Sequence, residues 1–223
     1  MPYLELPHHR LHYRVDESHD EKPWLVFCNS LGTDLHMWDC QAEALEGQFR
    51  ILRYDRRGHG LSSSPPPPFS MAELGRDVLH LMDSLGIERT HFCGLSIGGL
   101  LGQWLALHAA HRFDKIVLCA TAARIGSAQS WTERMNAVSA HGLSPLLAGT
   151  WSDGLRADLP PQHREWSTPV LHHSSRRQSA AMSDAAQPLP TQISEAAWPR
   201  SPARCWRFPG RTIRSALRPV SKL

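Results

Sequence analysis

A serine sits between two glycines in Gly94-Leu95-Ser96-Ile97-Gly98, after an apolar run that reads as a strand and before a segment that reads as a helix. A serine hydroxyl attacks carbonyl carbon when a turn presents it free of neighbours and a base takes its proton. The G-x-S-x-G spacing suits that task. The turn must be sharp, so the serine backbone is strained and side chains two residues to either side would collide; glycine removes them. A helix starting just past Ser96 aims free N–H groups and its positive dipole end at the place where an oxyanion would form. A second N–H donor is expected from the loop after an earlier strand, and Asn29-Ser30-Leu31-Gly32 occupies that place. We expect Ser96 as nucleophile, with the backbone N–H groups of Leu31 and Ile97 holding the oxyanion. A glycine-rich turn with a capping serine would carry the same letters, and the loop at Leu31 also reads as a plain turn. The strand before Ser96 and the helix after it favour chemistry.

The surrounding elements follow a regular alternation. Trp24 to Cys28 is a short apolar run ending in a loop, the signature of a strand buried on both faces. Phe49 to Tyr54 is a second, stopped by Asp55-Arg56-Arg57-Gly58-His59-Gly60. Pro65 to Pro68 form a stiff extended connector. Ser70 with Glu73 makes a capping box, and Leu74, Val78, Leu81, Met82 and Leu85 follow at helical spacing up to Gly86. Thr90 to Cys93, a helix from about Leu100 to Ala110, and a strand at Lys115 to Cys119 complete the pattern. Strands alternating with helices predict an α/β fold with a mostly parallel sheet and helices on both faces. In such sheets ligands sit at the carboxyl ends of the strands, where all the unusual loops lie.

Composition narrows the class. Hydrophobic residues make up 41% of 223 residues, ordinary for a folded globular chain. No stretch reaches the ~20 apolar residues that span a bilayer, and the first residues lack the blocks of a signal peptide, so the expectation is a cytoplasmic protein without a membrane partner. Five cysteines, Cys28, Cys40, Cys93, Cys119 and Cys205, show no C-x-x-C pair and no metal-ligand spacing; they read as reduced thiols, and no metal is expected.

Four segments together resemble the 3-oxoadipate enol-lactonases, a family of the α/β-hydrolases. They are Asn29-Ser30-Leu31-Gly32-Thr33-Asp34 with Met37-Trp38, Tyr54-Asp55-x-Arg57-Gly58-His59-Gly60-x-Ser62, Gly94 to Gly99, and Thr121-Ala122-Ala123-Arg124-Ile125-Gly126. The first and last are the discriminating ones. The resemblance implies an α/β-hydrolase fold and hydrolysis of a small-molecule lactone, 3-oxoadipate enol-lactone, through an acyl-enzyme on Ser96 with no cofactor. It also implies a helical cap after the strand at Ile116 to Cys119. Trp131 would then line the substrate pocket or sit in the cap core, and Arg124 would meet a substrate carboxylate or remain a solvated loop charge. Asp55 and His59 tempt as partners of Ser96, but in this fold the order runs serine, acid, histidine, so we read their loop as structural, with an Asp55–Arg57 contact expected.

The last third changes texture. From Met1 to Trp151 the chain carries 13 Lys+Arg and 16 Asp+Glu, a net −3; from Ser152 to Leu223 it carries 11 and 5, a net +6. Nine of the 17 prolines but only two of the 15 glycines fall there, and the apolar periodicity is lost. The acid loop and final histidine that the family would supply after Ser96 are absent from this stretch: Asp153, Asp158 and Asp184 follow no apolar run, and His163, His172 and His173 sit among Arg, Ser and Pro. Translation out of frame accounts for both. Back-translated from the third base of the Arg204 codon, permissible codons yield an apolar run followed by G-x-D-D-P, the missing acid loop. The basic tail with Trp166, Trp198 and Trp206 is read this way and not as a nucleic-acid arm. The expected division is thus a hydrolase core over 1–124, the start of a cap over 125–160, and an aberrant tail without stable structure over 161–223, with the last strands of the sheet missing.

Overall fold

Alternation of buried and half-buried residues builds the sheet, and the loops at one edge build the site. The computed structural model describes residues 2–16, 21–66 and 69–141; what the sequence leads us to expect beyond His141 and at Pro67 and Pro68 lies outside the described residues. Six strands are present: β1 Tyr3–Leu6, β2 His9–Asp16, β3 Trp24–Cys28, β4 Arg50–Tyr54, β5 Thr90–Leu95 and β6 Phe113–Cys119. They lie in the order β1-β2-β4-β3-β5-β6. The pairs β1–β2 and β2–β4 are antiparallel, and β4–β3, β3–β5 and β5–β6 are parallel. This is the mostly parallel sheet that the alternation predicts, with an antiparallel hairpin added at one side.

Helices cover both faces. α1 (Asp39–Leu45) packs Ala42 and Leu45, with Trp38, against Leu25, Phe27 and Ile51 on one face. On the other, α2 (Met71–Ser84) and α3 (Ile97–His108) bring Leu74, Val78, Leu81, Leu101 and Leu105 against Val26, Cys28, Leu52 and Phe92. Burying each such side chain contributes roughly 1.5–3 kcal/mol, so the two layers dominate the stability. The capping box starts α2 as expected: Ser70 Oγ accepts from Glu73 N–H at 3.3 Å and the Glu73 carboxylate accepts from Ser70 N–H at 2.7 Å. A further helix, α4, spans Ala128–His141.

Because β4 and β5 flank β3 on opposite sides, the strand order reverses at β3. A crevice opens outside the carboxyl end of a strand at such a reversal, which is where ligands bind in open α/β sheets. Both the Asn29–Gly32 loop and Ser96 lie at that end, with Cys28 of β3 in register with Gly94 of β5. Among the described residues no helix is long and apolar enough to cross a membrane.

The cysteines sit in different settings. Cys28 is buried and Cys40 exposed, and Cys93 and Cys119, on neighbouring strands, approach to 3.9 Å between sulfurs without a bond. The contact between the two thiols pulls the Cys119 thiol down to about 7 and pushes Cys93 up.

Candidate active site

β5 runs into α3 with only Ser96 between them, and the backbone of that residue takes φ 57°, ψ −114°. Outside glycine such a conformation costs on the order of 1–3 kcal/mol and survives only where the surroundings over-determine it. Here they do. Ser96 N–H donates to the Cys119 carbonyl at 2.9 Å, and the Ser96 carbonyl accepts from Leu100 N–H at 3.0 Å. A Cβ on Gly94 would lie 2.1 Å from the Gly98 carbonyl oxygen, and one on Gly98 would lie 2.4 Å from the Cys28 carbonyl oxygen. The two glycines therefore let the turn close on itself and on β3 at once. Ser96 is half-buried, and its hydroxyl has no hydrogen-bond partner among the described residues. The N–H of Ile97 opens α3, also without an acceptor among them.

The loop after β3 is held by its own polar groups. Ser30 N–H donates to the Met37 sulfur at 3.3 Å. The Ser30 carbonyl accepts from Arg56 Nη2 at 2.8 Å and from Thr33 Oγ1 at 2.9 Å. Asp34 caps the short 3-10 turn Leu35–Trp38, its side chain accepting from His36 N–H at 2.9 Å. Leu31 N–H, the sequence-predicted oxyanion donor, has no acceptor among the described residues. Arg56 was not singled out by its sequence; its only signal was an extra arginine just before the Arg57-Gly58 of the motif.

The loop after β4 is structural, as its place before Ser96 suggests, but its pairing differs from expectation. Asp55 does not meet Arg57. Buried at 1% exposure, it accepts from Leu35 N–H at 2.7 Å, Leu61 N–H at 3.0 Å and His12 Nδ1 at 2.7 Å. Arg57 instead makes a two-pronged contact with Asp77 of α2, both at 2.7 Å, and His9 shares that carboxylate at 3.1 Å. The reason is that the Asp55 oxygens are filled by donors from three places, its own loop, β2 and the turn after β3, while α2 brings Asp77 to Arg57.

His59 is equally committed. Its Nδ1 bonds the Arg57 carbonyl at 3.1 Å, and its Nε2 faces Arg56 Nη2 at 3.3 Å, so Nε2 must accept and the ring is neutral. Burial, seconded by the Arg56 charge, drives it down to about 3. An unfolded chain takes up this proton near 6.5, so the stabilisation is fully present above that pH and is lost progressively as pH falls towards 3. In urea titrations between pH 7 and pH 4, His59→Gln should flatten the loss of stability relative to the parent. Parallel slopes for the two proteins would contradict this placement of His59. Some slope should remain, because burial also lowers His9 and His91.

The remaining candidates stand apart. The Trp131 indole N–H donates to the Ile125 carbonyl at 2.6 Å and Arg134 lies over the ring at 5.1 Å, while Arg124 is exposed. Neither forms a hydrogen bond with Ser96 among the described contacts. Of the histidines after Ser96, His108 stacks on Trp104 and bonds its carbonyl at 2.9 Å, and His111 is exposed. No acid–histidine pair reaches Ser96 among the described residues. Of the five buried side-chain polar atoms without partners among the described residues, three lie at these strand ends, Asn29 Oδ1 after β3, Arg56 Nε after β4 and Thr121 Oγ1 after β6; the others are Trp38 Nε1 and His91 Nδ1. Such orphans are uncommon in folded chains and mark places where a ligand or function is served.

The chain is similar to known hydrolases along this same stretch. The alpha/beta hydrolase fold family matches residues 23–207. Two proteins of Acinetobacter baylyi, 3-oxoadipate enol-lactonase 2 and 3-oxoadipate enol-lactonase 1, are 46% identical over 126 residues and 45% over 131, covering 56% and 59% of this chain. The chain spans about half the length of these curated relatives, 47% and 49%. The crystal structure of the enol-lactonase from Burkholderia xenovorans superposes with a TM-score of 0.79 at 40% identity, over 84% of this chain and 73% of that one. A hydrolase from Pseudomonas aeruginosa superposes at 0.71 with 45% identity, over 83% and 71%. With a strained serine at the β5–α3 turn and a family match over most of its length, this chain belongs to the alpha/beta hydrolase fold family, in the lineage of its lactone and ester hydrolases.

Proposed function

We propose that Ser96 is the nucleophile of a lactone hydrolase whose substrate is 3-oxoadipate enol-lactone. The observation that carries the reading is the backbone of Ser96, held at φ 57° with its hydroxyl uncommitted at the reversal of strand order. The similarity to two named enol-lactonases at 45–46% identity supports the substrate. Ser96 Oγ adds to the lactone carbonyl carbon and gives up its proton to a base. The carbonyl oxygen becomes an oxyanion between the N–H groups of Leu31 and Ile97. Collapse breaks the ring C–O bond, and the enol oxygen that leaves is protonated and rearranges to the ketone. Water then cleaves the acyl-enzyme, releasing the dicarboxylic product and restoring Ser96. Trp131, in the cap that we assign over 125–160, and Arg124, just before it, contribute to the substrate side of this reading.

The base and acid belong to the stretch after His141, whose sequence offers neither motif, and we therefore propose that this chain turns the lactone over slowly. A triad serine without its partners retains a residual ~10³–10⁴-fold over water from the oxyanion donors and binding. The test is hydrolysis of 3-oxoadipate enol-lactone by the purified 223-residue protein beside Ser96→Ala. The expected result is weak activity in the parent and a similar residual rate in Ser96→Ala, since the oxyanion donors and binding remain, with an acyl group found by mass spectrometry on Ser96 of the acid-quenched parent. Full turnover would overturn the impairment, and no acyl group on Ser96 would overturn Ser96 as nucleophile.

A further inference from the structure

Arg56 is 2% exposed, and no carboxylate lies within ion-pair distance of it among the described residues. Its guanidinium is placed by two neighbours on opposite loops. Nη2 donates to the Ser30 carbonyl at 2.8 Å and stands 3.3 Å from the neutral Nε2 of His59, while Nε has no partner. A buried cation without a counter-ion is costly, and a fold that keeps one uses it. The charge is felt across this end of the sheet, where it opposes the upward push of burial on the Cys28 thiol and the Tyr54 phenol.

The carbonyl that Arg56 holds is half of the peptide unit whose other half is the N–H of Leu31. A trans peptide is planar, and its C=O and N–H point in opposite directions. Fixing the Ser30 oxygen towards Arg56 therefore fixes the Leu31 N–H on the far side of the plane. Thr33 Oγ1, at 2.9 Å from the same oxygen, sharpens the restraint. We propose that Arg56 is the positioning residue of the oxyanion pocket: it orients the Ser30–Leu31 peptide so that the Leu31 N–H faces the nucleophile, and its charge raises the positive potential where the oxyanion forms. This rests on the reading of Leu31 N–H as an oxyanion donor. Arg56 acts through the peptide and not on the substrate. His59 shares the task by presenting a lone pair to the guanidinium, which explains why a neutral histidine is buried there.

The test compares the full-length parent, Arg56→Met and Arg56→Lys. One readout is the rate at which a neutral alkyl fluorophosphonate labels Ser96, followed by mass spectrometry at several reagent concentrations. The probe carries no carboxylate, so a loss cannot reflect recognition of an anionic substrate group. The second readout is amide hydrogen exchange in peptides covering residues 29–36 and, separately, α3. Loss of one oxyanion donor costs ~10²–10³ in rate, and a donor that is misdirected but present should cost less, ~10–100-fold. Arg56→Met should thus slow the saturating labelling rate by that factor with little change in the reagent concentration at half-saturation. Exchange should rise in 29–36 and stay unchanged in α3, and Arg56→Lys, which keeps a charged donor, should recover part of the rate. Labelling of Arg56→Met at the parent's rate overturns the proposal, as does a rise in exchange that is equal across both peptides. If the parent itself is not labelled, Ser96 lacks the base that activates it; exchange confined to 29–36 in Arg56→Met then still upholds the orienting role of Arg56, and unchanged exchange overturns it.

Discussion

A Gly98→Ala variant should lose the reactive turn and much of the stability that surrounds it. The added methyl carbon would sit 2.4 Å from the Cys28 carbonyl oxygen and 3.0 Å from that of Asn29, main-chain atoms at and just past the end of β3, a strand that is paired on two sides. A flexible side chain could swing away; β3 cannot. Relief must come from moving α3 outward or from flattening Ser96, and either destroys the geometry that sets the hydroxyl free. Overpacking against rigid neighbours costs about 1–3 kcal/mol and occasionally more, so a loss of ~2–4 kcal/mol is expected. Urea unfolding gives the stability change, and fluorophosphonate labelling of Ser96 reads the turn. A variant with the parent's urea midpoint and labelling rate would mean that the turn is not wedged against β3. The same substitution at Gly94 should behave alike, since its methyl would meet the Gly98 carbonyl oxygen at 2.1 Å.

The second large effect lies in the loop beside the site. Asp55→Ala removes one carboxylate and strands three donors: Leu35 N–H, Leu61 N–H and His12 Nδ1. Leu35 and His12 are buried at 1% and 0% exposure, so water cannot replace the lost acceptor there. A buried donor left without a partner costs about 1–3 kcal/mol, and the sum should approach ~3–5 kcal/mol. Asp55→Asn keeps the shape and one acceptor oxygen and should lose distinctly less. Thermal melts of the two variants decide the point: equal, small shifts would mean that the carboxylate does not organise the loop.

Much of this arrangement is legible in the letters. Trp24 to Cys28 reads as a buried strand because β3 is covered on both faces, and a run apolar throughout is what such a strand requires. Ser70 and Glu73 announce the start of α2 because a capping box is a local device that needs no tertiary partner. The hairpin of β1 and β2 is not announced. His9-Arg10-Leu11-His12-Tyr13-Arg14 mixes polar and apolar residues, and His12 is buried only because Asp55 and the Ser62 loop supply partners from far along the chain. α1 is short and starts without a side-chain cap, so neither periodicity nor a capping signal marks it. The sequence places the start of α3 at about Leu100 and it lies at Ile97, because Gly98 and Gly99, weak helix formers, occupy its first turn for steric reasons. In the site, Ser96 and the loop at Leu31 are visible from spacing alone. The Arg57–Asp77 pair and the grip of Arg56 on Ser30 are not, since each joins separate loops or elements that meet only once the sheet has formed.

The tie between Ser96 and its neighbours also has a bearing on how the protein is made. The turn is fixed by the Cys119 carbonyl on β6 and by the Cys28 carbonyl on β3. Parallel pairings between strands distant in sequence form slowly, since chain closure must precede their reward. The uncommon backbone of Ser96 therefore has nothing to hold it until β3, β5 and β6 have paired, and before then its hydroxyl is an ordinary alcohol. A polypeptide emerging from synthesis carries no premature reactivity, and a reagent captured by Ser96 counts assembled molecules, not chains.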